Sequence, residues 1–313
     1  MHAVLIGAGA LGRLYGVHLA AGGADVSFVV RESRPAGDDP FIVERFYGPS
    51  QRLILERPRR VTRVPDDADL LLLAVRAEHL TGPLTRALTL APPVPIIALT
   101  PLLPPSLARL EAALGRRVIV ALPAVASRLD ADRVVRYFVP PLSETSIDRD
   151  AAEDPLVREL VETLTRAGLP SGFKANVRDR NPATTILFYP LSLALALAGS
   201  MARLLSDRPL LTRALRACRE LAPIARAVGP VEPGVSLLVR CSTPRLLRAG
   251  IGAARWILPD LVTFIEDHFG TKLSSQHLCL GRQISELAEA HSITTPQLDT
   301  LLRDLEARRD AQA

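Results

Sequence analysis

The chain has 313 residues, 48% of them hydrophobic but only 4% aromatic, with a formal net charge of +5. That length is enough for two domains with substantial cores. The charge is carried by arginine, since Lys174 and Lys272 are the two lysines. The arginines are spread thinly, with no basic run and no interleaved aromatics, which excludes nucleic acid as the expected partner and favours a solvated surface.

In chain order, the opening Met1-His-Ala-Val-Leu-Ile-Gly-Ala-Gly-Ala-Leu-Gly12 predicts a buried parallel strand over Ala3 to Ile6 that runs into a glycine-rich turn. Gly7 permits the tight turn, Gly9 lets the backbone approach a diphosphate, and Gly12 lets the following helix, Leu11 to Ala21, pack closely on the sheet. The helix then aims its N-terminal N–H groups and positive dipole end at the anion. Gly7, Ala8, Gly9, Ala10, Leu11 and Gly12 are therefore the expected dinucleotide-binding residues. With strand before and helix after, the context that the bare glycine pattern lacks is present.

A second strand is expected over Asp25 to Val30, ending in Val29-Val30-Arg31-Glu32-Ser33-Arg34. An acid at this strand end accepts from a ribose 2′-hydroxyl, whereas a cation accommodates a 2′-phosphate. Arg31, supported by Arg34, favours NADP. A one-residue slip in register would instead bring Glu32 to the ribose.

Further buried strands are expected at Asp69 to Val75, Val94 to Leu99 and Arg117 to Leu122, with an edge-like one beginning at Arg136 to Val139. Helices over Ser106 to Leu114 and Pro155 to Gly168 alternate with them, and this alternation predicts an α/β fold with a doubly wound parallel sheet. From about Asn176 the pattern is helical only, with stripes at Leu210 to Val228, Leu258 to His268, Ser274 to His291 and Thr295 to Arg309. The Gly168-Leu-Pro-Ser-Gly172 stretch marks the expected boundary, giving a Rossmann-like domain over 1–170 and a helical substrate and dimerisation domain over 175–313.

The longest apolar run, Ala183 to Gly199, approaches bilayer length, but it is at the short end and contains Pro190. It is expected to be a buried helix, and no membrane partner is expected. The stretch from Leu191 to Leu205 is apolar enough to need cover from a neighbouring surface. Cys218, Cys241 and Cys279 lie far apart, with no metal-ligand spacing. They point to reduced thiols in a cytoplasmic protein, and no signal peptide precedes the first strand.

The glycine turn, the helical second half, the helix entered through Phe188-Tyr-Pro-Leu-Ser-Leu193 and the terminal His291-Ser-Ile-Thr-Thr-Pro296 together resemble the ketopantoate reductase family over essentially the whole chain. The resemblance implies an NADPH-dependent reduction of a 2-keto acid to a 2-hydroxy acid, on a 6-phosphogluconate-dehydrogenase-like fold, in a dimer or a monomer. The family's Val-Lys-x-x-Gln stretch reads here Val75-Arg76-Ala77-Glu78-His79, so that Arg76 keeps a cation for the cofactor's phosphates. The catalytic pattern differs. Alignment on Pro190-Leu191 places Asn181 at the family's lysine, and Thr185 and Tyr189 at its two asparagines. Leu99-Thr-Pro101-Leu102 stands where the family has Asn-Gly near the nicotinamide, which puts Pro101 beside the cofactor. Twenty residues before Pro296, Gln276 replaces the substrate-binding glutamate.

A ketone reduction needs a hydride and a proton on the developing alkoxide, and Asn181 donates a hydrogen bond without being a useful acid. Candidates for a relocated donor are Tyr189 on the same helix, Lys272 and His268 in the His268-Phe-Gly-Thr-Lys272 segment, His79, and Lys174. The expected catalytic set is thus Asn181, Tyr189, Lys272 and Gln276. It is expected beyond the carboxyl ends of the strands, facing the loops after Leu5, Val30, Val75 and Leu99. Two readings follow: an NADP-dependent reductase of a small keto substrate other than ketopantoate, or a non-redox enzyme (cyclase or isomerase) or binding protein that retains the dinucleotide fold.

Overall fold

The computed structural model describes residues 1–31, 39–80, 82–257, 262, 264, 266 and 274–311, with the side chains at 255, 257, 274 and 275 left out. The first 178 residues form one compact unit, Met1–Arg178, and the rest a second, Asp179–Ala313.

In the first unit, β1 (His2–Ile6), β2 (Asp25–Val29), β5 (Arg59–Val61), β6 (Leu70–Leu73), β7 (Ile96–Ala98) and β8 (Ile119–Leu122) are all parallel, in the order β5-β2-β1-β6-β7-β8. Two strands extend the sheet beyond β8: β11 (Thr145–Asp148), antiparallel to β8, and β12 (Ser171–Lys174), parallel to β11. The central strands are buried on both faces, which is why His2–Ile6 and Leu70–Leu73 read as continuous apolar runs. Helix α1 (Ala10–Ala21) follows β1, and α2 (Gly82–Thr89), α3 (Pro104–Leu114) and α4 (Pro155–Arg166) are further helices of this unit. α4 starts where Asp154 accepts from the Leu156 and Val157 N–H groups, a side-chain cap placed just before Pro155.

A second, four-stranded sheet runs β4 (Arg52–Leu55), β3 (Phe41–Arg45), β10 (Val134–Phe138) and β9 (Ala126–Leu129). The stretch from Arg136 is therefore not an edge of the main sheet; β10 is interior to the second sheet, parallel to β3 and antiparallel to β9. Its buried residues, Val134, Val135, Tyr137 and Phe138, satisfy an apolar pattern without saying which sheet receives them. α1 touches strands of both sheets, and Leu14, Tyr15, Phe28, Phe41 and Tyr137 share one core. The Tyr15 hydroxyl, sealed in that core, lies 2.5 Å from Thr145 Oγ1 on β11.

The second unit is helical: α5 (Val177–Ala198, shared with the end of the first unit), α6 (Met201–Ser206), α7 (Arg208–Val228), α8 (Pro233–Cys241), α9 (Pro244–Ile257), α10 (Ser274–Ala290) and α11 (Pro296–Asp310). α5 is long and apolar enough to cross a bilayer, but most of that stretch is buried within the protein. Cover for the apolar stretch after Leu191 comes from within its own unit. Ala194 and Leu195 cluster with Leu204, Leu211 and Ala214, and Leu191, Met201, Leu205 and Leu247 pack around them. Of the expected helix Leu258 to His268, only residues 262, 264 and 266 are described, all helical.

Candidate functional site

The glycine-rich turn lies at the carboxyl edge of β1, and its three glycines do different work. Gly7 has φ +109°, a left-handed backbone open to glycine, and a Cβ there would lie 2.9 Å from the Val75 side chain and 3.2 Å from the Ala74 carbonyl oxygen. At Gly12 an added Cβ would come within 1.9 Å of the Gly7 carbonyl oxygen. These two glycines fold the turn back on itself and onto the chain leaving β6. A Cβ on Gly9 would meet nothing within 4 Å, and Gly9 is exposed. That empty space above a backbone is what a diphosphate requires.

Gly9 is also the N-cap of α1, which has neither a side-chain cap nor an acid in its first turn. The N–H groups there are left for an anion, and the helix adds roughly half a positive charge at this end. Ala8 is buried, while Ala10 and Leu11 are partly exposed and Gly12 is buried. The turn thus has the shape, open face and charge that suit a dinucleotide diphosphate.

β1 and β2 are parallel with Ile6 opposite Val29, so Arg31, two residues past β2, lies at the same edge of the sheet as the turn. It is exposed. Arg34 and Glu32 lie outside the described residues. At the end of β6, Arg76 faces Glu78 at 3.8 Å, and His79 closes a short 3-10 turn. The Thr100 hydroxyl lies 2.6 Å from the Val75 carbonyl and 3.1 Å from that of Leu73, joining the ends of β6 and β7. Pro101 follows it, exposed. The structure brings Gly7–Gly12, Arg31, Arg76 and Pro101 to one edge of one sheet.

The residues expected to act on substrate are in the second unit. Asn181, Thr185 and Tyr189 lie along α5. Asn181 is buried, and its Oδ1 accepts from the Thr185 hydroxyl at 3.4 Å. Tyr189 is 3% exposed and donates its proton to the His277 carbonyl at 2.6 Å. Burial, with a smaller contribution from Cys279, holds its hydroxyl far above the ordinary tyrosine range. The ring serves as a core pillar between α5 and α10. Gln276, partly buried, precedes His277 on α10. Lys272 and His268 lie outside the described residues. Lys174 sits on β12, half-exposed and 3.3 Å from Glu144.

Two features escaped sequence reasoning. Arg13, immediately after the last glycine of the turn, is 5% exposed and donates through Nε to the Ala8 carbonyl at 3.0 Å. An arginine at the buried face of a predicted helix was the available signal. The other is a pocket of about 270 Å³ at the amino end of β8, lined by Val118 to Val120, Asp148 and Arg178. Its Arg178 is clamped by Glu111 through two hydrogen bonds of 2.5 and 2.9 Å. This pocket is at the opposite end of the strands from the glycine turn. Cys218 is buried, and burial pushes its thiol up to about 12, so it is no nucleophile at neutral pH. Among the described residues no cluster of three or more metal-ligating side chains occurs.

Residues 3–100 match the family model described as ketopantoate reductase PanE/ApbA. Comparison with curated protein sequences gives no match. Among solved structures, 2-dehydropantoate 2-reductase from Geobacter metallireducens is similar, with TM-score 0.73 at 16% identity over 98% of this chain and 100% of that one. A ternary structure of D-mandelate dehydrogenase with NADH and anilino(oxo)acetate gives TM-score 0.70 at 15% identity, over 99% of each chain. A dimeric ketopantoate reductase from Staphylococcus aureus gives TM-score 0.63 at 16% identity over 100% of both chains. The chain thus carries the ketopantoate reductase PanE/ApbA sequence pattern over residues 3–100, and over its full length the fold of solved ketopantoate reductases.

Proposed function

We propose that this chain is an NADP(H)-dependent oxidoreductase of the ketopantoate reductase type, acting on the carbonyl of a small keto substrate other than ketopantoate. The observation that carries the reading is the Gly7–Gly12 turn, whose Gly9 leaves open space beside an uncapped helix N-terminus. When bound, a nicotinamide cofactor supplies the hydride. The chain's own residues bind, orient and protonate.

Gly9 and the first N–H groups of α1 receive the diphosphate. Arg31 supports NADP over NAD, since an exposed guanidinium at this strand end can pair with a 2′-phosphate in two parallel hydrogen bonds. Arg76 adds positive charge at the end of β6, moderated by Glu78. In the second unit Asn181 orients the substrate oxygen but cannot deliver a proton. Tyr189 is a poor donor, because its proton already bonds the His277 carbonyl and the hydroxyl resists ionisation. Of the two lysines, Lys174 is engaged with Glu144. Of the remaining candidates, Lys272, His268 and His79, Lys272 is the residue assigned to protonate the alkoxide, on its charge and its place four residues before Gln276 in the sequence. With Pro101, Asn181 and Gln276 replacing three polar anchors, ketopantoate loses both a charged partner and a proton source, each worth a few kcal/mol of transition-state stabilisation. A homodimer in the cytoplasm fits the dimeric relative and the three unpaired cysteines.

The test is NADPH oxidation by the purified chain against a panel of 2-keto acids and larger ketones that includes ketopantoate. At least one other substrate should turn over faster than ketopantoate. Ketopantoate as the best substrate overturns the substrate assignment. No oxidation across the panel, with NADPH bound, overturns the redox reading in favour of a non-redox role.

A further inference from the structure

The side chain of Arg13 grips the inner side of the glycine turn, and its geometry determines where the turn's amides point. Arg13 Nε donates to the Ala8 carbonyl at 3.0 Å, while the Arg13 backbone N–H donates to the Gly9 carbonyl, also at 3.0 Å. The side chain thus holds the Ala8 carbonyl toward α1, next to the ordinary first helical bond that holds the Gly9 carbonyl. In a planar trans peptide the carbonyl oxygen and the following N–H point in opposite directions. Drawing the Ala8 and Gly9 carbonyls inward sends the Gly9 and Ala10 N–H groups outward. The space beside Gly9 is open, since a Cβ there meets nothing within 4 Å. Successive N–H groups turned to one side form an anion-binding concavity.

The grip is rigid because the guanidinium is packed. Its central carbon lies 4.3 Å from the centre of the Phe41 ring on β3, and the Arg60 guanidinium approaches the same ring at 4.8 Å. Phe41 is itself buried and set edge-on to Phe28 of β2. The second sheet thus acts as the anvil that holds the arginine against the turn.

We infer that Arg13 is a positioning residue for dinucleotide binding: its side chain, by holding the Ala8 carbonyl, aims the Gly9 amide at the diphosphate beside the Ala10 amide that the helix itself presents. The inference rests on the dinucleotide reading above. It predicts an effect confined to ligands that carry the diphosphate.

Calorimetric titration of the full chain with ADP and with adenosine 2′-monophosphate separates the two. The first ligand carries the diphosphate; the second carries the 2′-phosphate without it. Arg13→Met should weaken ADP by about tenfold or more, the equivalent of ~1.4 kcal/mol, while leaving adenosine 2′-monophosphate within about twofold. Arg13→Gln keeps a donor for the Ala8 carbonyl but not the charge, and should recover part of the ADP affinity. This second variant keeps the experiment decisive if Arg13→Met does not fold. Undiminished ADP binding in both variants, or equal losses on both ligands, overturns the role of Arg13. Failure of the unsubstituted chain to bind ADP and NADPH would instead overturn the dinucleotide reading itself.

Discussion

The glycine turn of the first unit and the Asn181–Tyr189 stretch of the second present polar groups in two different ways. In the turn the groups that can meet a ligand are backbone amides. Side chains matter there mainly by their absence at Gly7, Gly9 and Gly12, or by holding the loop from behind, as Arg13 does. On α5 the polar groups are side chains, and these are already occupied: Thr185 bonds Asn181, and Tyr189 bonds the His277 carbonyl. A backbone site tolerates wide divergence elsewhere in a sequence. A side-chain site changes its chemistry with each replacement.

The sharpest way to break this comparison is within the turn itself. Gly12→Ala places a Cβ against the Gly7 carbonyl and should cost about 3 kcal/mol or more of folding stability in denaturant titration. Gly9→Ala should leave stability within about 0.5 kcal/mol, because its Cβ enters open space. It should instead weaken dinucleotide binding by about tenfold, since the added methyl occupies the place of the diphosphate. Equal stability losses at the two positions would remove the distinction between packing glycine and ligand-facing glycine.

On the side-chain region, Tyr189→Phe removes a buried hydrogen bond to a carbonyl that keeps its own helical partner, and should cost about 0.5–1.5 kcal/mol of stability. Turnover of whichever keto substrate is found should stay within about twofold, and the pH–rate profile should keep its shape, because a hydroxyl whose burial favours the neutral form does not titrate in the working range. Loss of activity on a scale of about a hundredfold, with NADPH still bound, would return Tyr189 to the position of proton donor.

How much of this was legible in the sequence follows from burial. The parallel strands β1, β6 and β7 are covered on both faces, so their apolar runs announce them, and α1, α3 and α4 carry ordinary helix signals. The strands β3, β4 and β5 were not legible. They are short and half-exposed, with charged residues such as Arg52, Arg59 and Glu44 within them. The Ser171–Lys174 stretch, with its flanking glycine and proline, reads as a hinge but forms the edge strand of the main sheet. For the site, the glycines were legible because their roles are set by backbone geometry. The role of Tyr189 was not, because spacing along α5 says nothing about the carbonyl of α10 that takes its proton. Arg13 was hidden for a similar reason: its partner Phe41 belongs to a sheet that the sequence pattern did not reveal.

The central claim, that the turn and the end of β2 together bind NADP(H), is tested most directly by calorimetric titration of the unsubstituted chain and of Arg31→Ala with NADPH and with NADH. The account predicts tighter binding of NADPH by the unsubstituted chain. It also predicts that Arg31→Ala weakens NADPH by about tenfold through loss of a charge-assisted phosphate contact, with NADH unchanged. Equal or tighter binding of NADH by the unsubstituted chain would contradict the preference, and no binding of either would contradict the dinucleotide site.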